Sequence, residues 1–310
     1  IGPNPNAIAL MADKHISKTI AQKLNIPHIP SIDKFNPQEL DYAQWQKIYD
    51  FCNKHKFPFI IKSALGGGGK GMKILLESDS VEKSCLQTSL ESFATCGDYN
   101  IIIEKYLINP RHIEVQLIAD KHKNIYAISD RECSIQRRYQ KIIEEAPATC
   151  LSNMLRDTLY EYSIKIASEI NYDSIGTIEF LVDTNDTSNK IYFLEMNTRL
   201  QVEHTITEQI LNIDLVETQI KIAQNEQINK PFWPNFTNTH SIQARIYAEN
   251  PINDFLPSCG NIYKFTPYQA HNIRWDEGIS SIDYVSSDFD PMIAKCIATS
   301  SSRTQAINLL

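Results

Sequence analysis

Seven cysteines are present, at positions 52, 85, 96, 133, 150, 259 and 296, but no two are spaced as Cys-x-x-Cys. An odd count without that spacing excludes a disulfide framework and predicts reduced thiols in an intracellular protein, cytoplasmic or in a mitochondrial matrix. The eight histidines form no His-x3-His pair, which argues against a zinc site. No signal peptide opens the chain and no apolar run reaches membrane-spanning length, so no membrane partner is expected. There is no basic arm, and with a net charge of −7 nucleic acid is not the expected partner. Internal repeats and low-complexity tracts are also missing. What is there is a globular composition, 42% hydrophobic and 22% charged, over 310 residues, enough for two or three packed units. The chain starts at Ile1 and stops at Leu310 inside a predicted helix, and both ends read as cuts in a longer polypeptide.

The stretch that organises the rest is Lys190–His204, KIYFLEMNTRLQVEH. It opens as a strand, with Ile191, Phe193, Glu195 and Asn197 predicted on one face and Tyr192, Leu194 and Met196 on the other. In the preceding strand, Gly176–Asp183, Thr177, Glu179 and Leu181 share a face. The polar run Thr184–Asn189 between them is a turn. A hairpin about that turn sets Glu179 opposite Glu195. Two carboxylates facing each other repel, and a hard divalent cation such as magnesium or manganese would reverse the sign. A solvated face is the competing reading on spacing alone. Arg199, Gln201 and Glu203 continue the parity and add a cation, an amide and a third carboxylate.

Glycine is scarce, ten residues in all, yet four are consecutive in Leu65–Gly71, LGGGGKG. Such a run lets backbone N–H groups approach an anion. The spacing satisfies GxGxxG by default, but the following MKILL reads as a strand and not as the helix of a dinucleotide fold. Walker A fails at Ala64 and Gly71, and no kinase HRD or DFG motif follows. A flap between two strands, folding over nucleotide phosphates, fits best. Helices are predicted over residues 7–24, 37–56, 80–96 and 151–170, and another from a capping box at Thr205–Glu208 to about Asn225. Lys14 and Lys18 lie one turn apart on the first, where a solvated face is the simpler reading. Arg131, Arg137, Arg138 and Lys141 suggest small-anion binding or a salt-bridged surface. Strand 240–249 alternates, with Gln243, Arg245, Tyr247 and Glu249 outward.

Taken together, FIIKSALGGGGKGM, IIIEKYLINPRHIEVQ, RECSIQRRYQKIIEEAPA, GTIEFLV, FLEMNTRLQVEH and ARIYAENP resemble the biotin carboxylase family of ATP-grasp enzymes over nearly the whole chain. ARIYAENP and DPMIAK look most like the biotin-containing subunits of methylcrotonyl-CoA and propionyl-CoA carboxylases. The resemblance implies an α+β ATP-grasp fold. Residues 1–31 would be an opening helix and linker, 32–106 the lid, 107–235 the core with the hairpin, and 236–310 a truncated C-terminal region. An N-terminal α/β domain would be missing. It implies that Lys14, Lys62 and the flap Gly66, Gly67, Gly68 and Gly69 hold ATP phosphates. Glu104, Lys105 and Leu107 would form the adenine hinge, His112 and Gln136 the ribose side, and Leu181 the adenine floor. Glu179, Glu195 and Asn197 would be metal ligands. Lys141, Arg199, Gln201, Val202 and Glu203 would form the bicarbonate pocket, with Glu203 as base, and Arg245 would steady the biotin enolate.

The implied reaction is ATP-dependent carboxylation of biotin by bicarbonate through carboxyphosphate. Biotin would be carried on a separate domain or subunit, since no AMKM motif occurs here. A carboxyltransferase partner and an oligomeric full-length protein are implied as well. Four positions depart from the family pattern. Leu65 replaces Gly or Ala, Tyr139 a His or Asn, Thr205 a Pro, and Gln243 a Glu near Arg245. Two other readings stay open: another ATP-grasp carboxylate ligase, or a non-catalytic nucleotide-binding or assembly fragment.

Overall fold

The computed structural model describes residues 1–64, 72–76, 81–184, 190–229, 239–280 and 283–310. The glycine run with Leu65, and most of the turn at 184–189, lie outside these.

The first predicted helix is two helices. Asp13 is extended (φ −88°, ψ 113°) and ends α1 (Pro5–Ala12). Its carboxylate accepts from the backbone N–H groups of His15 and Ile16, so the same residue caps α2 (Lys14–Lys23). Then comes a four-stranded antiparallel sheet in the order β1-β4-β2-β3, from β1 (Ser31–Phe35), β2 (Phe59–Ser63), β3 (Met72–Leu75) and β4 (Ile101–Lys105). Helices α3 (Tyr42–His55) and α4 (Val81–Cys96) complete this lid-like unit. A capping box of Asp41 and Gln44 starts α3, five residues later than Pro37 suggests. Phe59, Ile61, Ile101 and Ile103 face Trp45, Ile48 and Cys85 in one apolar cluster.

The larger unit is an eight-stranded antiparallel sheet. Its strands are β5 (Arg111–Ala119), β6 (Ile125–Arg137), β7 (Gln140–Ala146), β8 (Ile175–Asp183), β9 (Lys190–Asn197), β10 (His240–Tyr247), Ile273–Glu277 and Met292–Ser300. The order across the sheet is Ile273–Glu277, Met292–Ser300, β10, β7, β6, β5, β8, β9. Strands from beyond residue 236 therefore share one sheet with the hairpin. The helices α1, α2 and α5 (Asn153–Glu169) cover one face through Met11, Leu159, Ile166, Phe180 and Phe193. At Gly176 an added Cβ would lie 2.6 Å from the Tyr172 hydroxyl, so the start of β8 has no room for a side chain there.

The other face carries α6 (His204–Leu211) and α7 (Leu215–Ala223). These replace the single helix expected to Asn225, because Asn212 turns left-handed (φ 53°). The expected capping box is absent. Thr205 sits inside α6, and Glu208 accepts from the Leu215 N–H and from Arg274. Gln243 is fully buried, not outward. Arg131 is not a surface cation either. It is fully buried and donates to Glu114, Gln116, Thr177, Gln201 and Thr207.

Candidate active site

The hairpin pairs Glu179 directly with Glu195, but through an irregularity. On the turn side the rungs are Phe180–Phe193, Leu181–Tyr192 and Val182–Ile191, and the next rung is Glu179–Glu195, leaving Leu194 unpaired. A regular ladder would have placed Leu194 opposite Glu179. The bulge flips the parity of β9 at this point. Ile191 and Phe193 consequently point into the core with Met196, while Leu194, Glu195 and Asn197 face a cavity. The expected common face of Ile191, Phe193, Glu195 and Asn197 is thus corrected by one extra residue. Parity also ends at Asn197, where β9 stops. Residues 198–203 form a turn segment. In it Arg199 is exposed and donates to the Leu200 carbonyl, while Gln201 and Glu203 are buried.

The cavity, of about 890 Å³, runs between the lid-like sheet and the large sheet. Every candidate residue outside the glycine run lines it: Lys14, Lys62, Glu104, Lys105, Leu107, His112, Gln136, Lys141, Glu179, Leu181, Glu195, Asn197, Arg199, Gln201, Val202, Glu203 and Arg245. Tyr139 borders it too, so the departure there leaves an aromatic hydroxyl, close to Tyr106, at the rim.

On the lid wall, Glu104 is shared by Lys62 (2.5 Å) and Lys18 (2.6 Å). Burial opposes its charge, but the two ammonium groups outweigh that and hold the carboxyl down at about 2. Lys18 is 8% exposed and also donates to Ser31, so the solvated-face reading of that helix fails for it. A lysine recurring at i+4 after Lys14 was the available signal. Only the tertiary position of β4 shows that it is spoken for.

Across the cavity the charges reverse. Lys141 contacts Glu114, Glu179 (2.9 Å) and Glu203 (2.7 Å), and burial notwithstanding its ammonium is held charged by these three. The second Glu203 oxygen accepts from Arg245 (3.0 Å), whose Nε donates to Glu144 (2.6 Å). Glu203 is therefore braced by Lys141 and Arg245. The backbone carbonyl of Val202 accepts from Lys295 (3.0 Å), which fixes the turn from a strand far along the chain. Glu114, Glu144 and Lys295 lie within the stretches that carry the resemblance, but no role at the site was assigned to them from the sequence.

His112 Nε2 lies 2.8 Å from Glu179 in a charge contact without hydrogen-bond alignment. Burial works against its protonation, but Glu179 and Glu114 raise it to about 9. Glu195 has the opposite environment. Burial and the facing Glu179 push its carboxyl up, and Lys14, Lys141 and His112 offset this only in part. Among the described residues its one hydrogen bond is a long one from Asn197 (3.5 Å). An under-partnered carboxylate, an opposed carboxylate and an amide form an oxygen-rich set that fits a magnesium or manganese ion. His112, Glu114 and Glu179 also converge within 4.8 Å, but the Lys141 ammonium already lies against both glutamates of that trio.

Comparison with known proteins gives a consistent picture. The family described as Carbamoyl-phosphate synthase L chain, ATP binding domain, matches residues 13–230, and Biotin carboxylase C-terminal domain matches residues 243–310. Methylcrotonoyl-CoA carboxylase subunit alpha, mitochondrial, of Dictyostelium discoideum is 40% identical over 311 residues, covering 100% of this chain and 43% of the relative. The biotin carboxylase–β,γ-ATP complex from Campylobacter jejuni superposes with a TM-score of 0.89 at 38% identity, covering 99% of this chain and 67% of that one. A biotin carboxylase domain dimer of Hydrogenobacter thermophilus 2-oxoglutarate carboxylase, in complex with MgADP, ADP and bicarbonate, gives 0.89 at 33% identity, covering 99% and 66%. The chain thus spans less than half the length of the acyl-CoA carboxylase subunit that it matches.

Proposed function

The chain belongs to the biotin carboxylase family of ATP-grasp proteins, and on that premise we propose that it carries the ATP-dependent carboxylation of biotin by bicarbonate. The observation that carries the reading is the Glu179–Glu195 rung at one wall of a cavity, with the Lys62–Glu104–Lys18 cluster at the other and the Lys141–Glu203–Arg245 cluster beside it. Lys62 and Lys14 meet the ATP phosphates. Leu181 supports the adenine while Glu104, Lys105 and Leu107 lie at its edge, and His112 and Gln136 stand on the ribose side. Glu179, Glu195 and Asn197 would hold the magnesium or manganese, which offsets charge on the phosphates when bound.

Bicarbonate enters against Arg199, Gln201, Val202 and Lys141. Glu203 takes its proton, which frees an oxygen to attack the γ-phosphorus, breaking the bond to ADP, which leaves, and giving carboxyphosphate. Both Glu203 oxygens are held by cations, Lys141 on one and Arg245 on the other, which aims the carboxylate. Arg245 is placed to meet negative charge on the biotin ureido oxygen. Carboxyphosphate then splits into CO2 and phosphate, the phosphate takes the proton of biotin N1′, and N1′ bonds to the CO2 carbon.

The relative's name points to an acyl-CoA carboxylase. The natural acceptor would then be biotin on a carrier domain, with a carboxyltransferase as partner. No helix among the described residues is long and apolar enough to cross a membrane, and the relative's name places it in mitochondria. The test is ADP release from MgATP with bicarbonate, with and without free biotin. Release that requires bicarbonate and yields carboxylated biotin is expected. ATP turnover indifferent to bicarbonate and biotin would point to a different ATP-grasp ligation.

A further inference from the structure

Behind Arg245, on the side away from the cavity, runs a chain of hydrogen-bonded side chains. Thr205, on the first turn of α6, brings its hydroxyl 2.5 Å from Gln243 Oε1 on β10. Gln243 Nε2 donates to Glu144 Oε2 on β7 at 3.1 Å, and Glu144 Oε1 accepts Arg245 Nε at 2.6 Å. Thr205, Gln243 and Glu144 are all fully buried, and neither Thr205 nor Gln243 touches the cavity. Burial pushes the Glu144 carboxyl up to about 7 against the pull of Arg245, and the direction of each link follows for its ionised form. In that form Glu144 is an acceptor, so the amide presents its NH2 to it. The amide oxygen then faces Thr205, and the hydroxyl, facing an oxygen, must donate.

We propose, resting on the biotin carboxylation reading, that Thr205 and Gln243 are a matched pair of positioning residues that aim Arg245 through Glu144. An acid at position 243 would set two carboxyls side by side in a dry interior with one guanidinium between them. An amide there supplies a donor, and the amide in turn needs a donor at 205 to satisfy its oxygen. The resemblance marks both positions as departures, and here the two side chains are in direct contact. The departure at 243 therefore leaves Arg245 tethered, with Glu144 holding its Nε and Glu203 its Nη2.

Thr205→Val keeps the branched shape and removes only the hydroxyl. Thr205→Ser keeps the donor. Gln243→Leu removes the middle link. The first readout is the 15N-resolved Nε–H signal of Arg245. It is expected to shift and to exchange faster with water in Thr205→Val and Gln243→Leu, and to return in Thr205→Ser. The second is turnover with free biotin, expected to fall by up to about a hundredfold in the first two variants. That loss appears in the biotin KM and rate, with MgATP affinity by calorimetry unmoved. The double variant is expected to be no worse than the weaker single one. An Arg245 signal that is unchanged while only the melting temperature falls overturns the proposal, as does a Thr205→Ser protein that fails to recover. If the unsubstituted protein shows no biotin-dependent turnover, the functional reading fails, and the Arg245 signal alone still decides the pairing.

Discussion

The two walls of the cavity solve opposite electrostatic problems. On the lid-like wall one carboxylate, Glu104, serves two ammonium groups, with Lys105 beside it on β4. On the hairpin wall two carboxylates, Glu179 and Glu195, face each other across a single rung. Glu104 is held down at about 2, whereas Glu195 is pushed up. The first wall has cations to spare and suits a polyanion. The second has a carboxylate to spare and suits a metal ion. A nucleotide triphosphate with its metal needs both, facing each other.

The comparison can be broken most severely at the junction of the two walls. Glu203→Gln is expected to lower bicarbonate-dependent ADP release and biotin carboxylation together by about 10²–10⁴-fold. MgATP affinity is expected to hold, because Glu203 is not among the phosphate or metal ligands. Near-normal carboxylation by this variant would remove Glu203 as the base and turn attention to Lys141 or a water.

Next in size is Glu104→Gln. The depressed pKa means that Glu104 contributes stability above its ordinary value near 4.3, lost as pH falls toward about 2. Removing the charge leaves Lys18 buried and unpaired, at a cost of about 3 kcal/mol. Denaturant melts at pH 7 should show that loss, and at pH 3 a smaller difference from the parent. Equal stability at pH 7 would mean that the Lys18–Glu104–Lys62 cluster is not the latch between α2 and the lid-like sheet.

Lys62→Ala is expected to weaken ATP by roughly ten- to a hundredfold, from one lost hydrogen bond to a charged group, while AMP is barely affected. Equal loss for both nucleotides would assign Lys62 to folding and not to phosphates.

Much of this could be read from the chain, and the misses have physical reasons. The antiparallel hairpin and its opposed glutamates followed from alternation about a polar turn. The bulge at Leu194 did not, because one unpaired residue leaves no mark in composition, yet it decides which residues of β9 face the cavity. Lys18 and Arg131 looked like surface cations because pattern cannot see a carboxylate brought from another strand. Thr205 and Glu208 matched a capping box by spacing, while the helix in fact begins at His204 and uses both side chains for contacts outside it. The resemblance located cavity residues that alternation alone could not, Lys14 and Arg245 among them, because they come from distant segments.

A smaller effect sharpens the contrast. Glu195 carries a raised pKa in the folded protein, so its charge opposes folding as pH rises from the ordinary carboxylate range through the raised value. Without metal, Glu195→Gln should therefore melt at or slightly above the parent temperature at pH 7, the opposite sign to Glu104→Gln. A clear loss of stability in metal-free buffer would show that Glu195 is a structural partner and not a carboxylate awaiting a cation.

The most direct test of the division between the walls is ATP binding by calorimetry, with magnesium and with chelator, for the parent, Glu195→Gln and Lys62→Ala. Glu195→Gln is predicted to lose the magnesium-dependent part of the affinity and to bind metal-free ATP at least as well as the parent. Lys62→Ala is predicted to weaken ATP under both conditions. Identical magnesium dependence in the parent and Glu195→Gln would contradict the assignment of the hairpin wall to the metal.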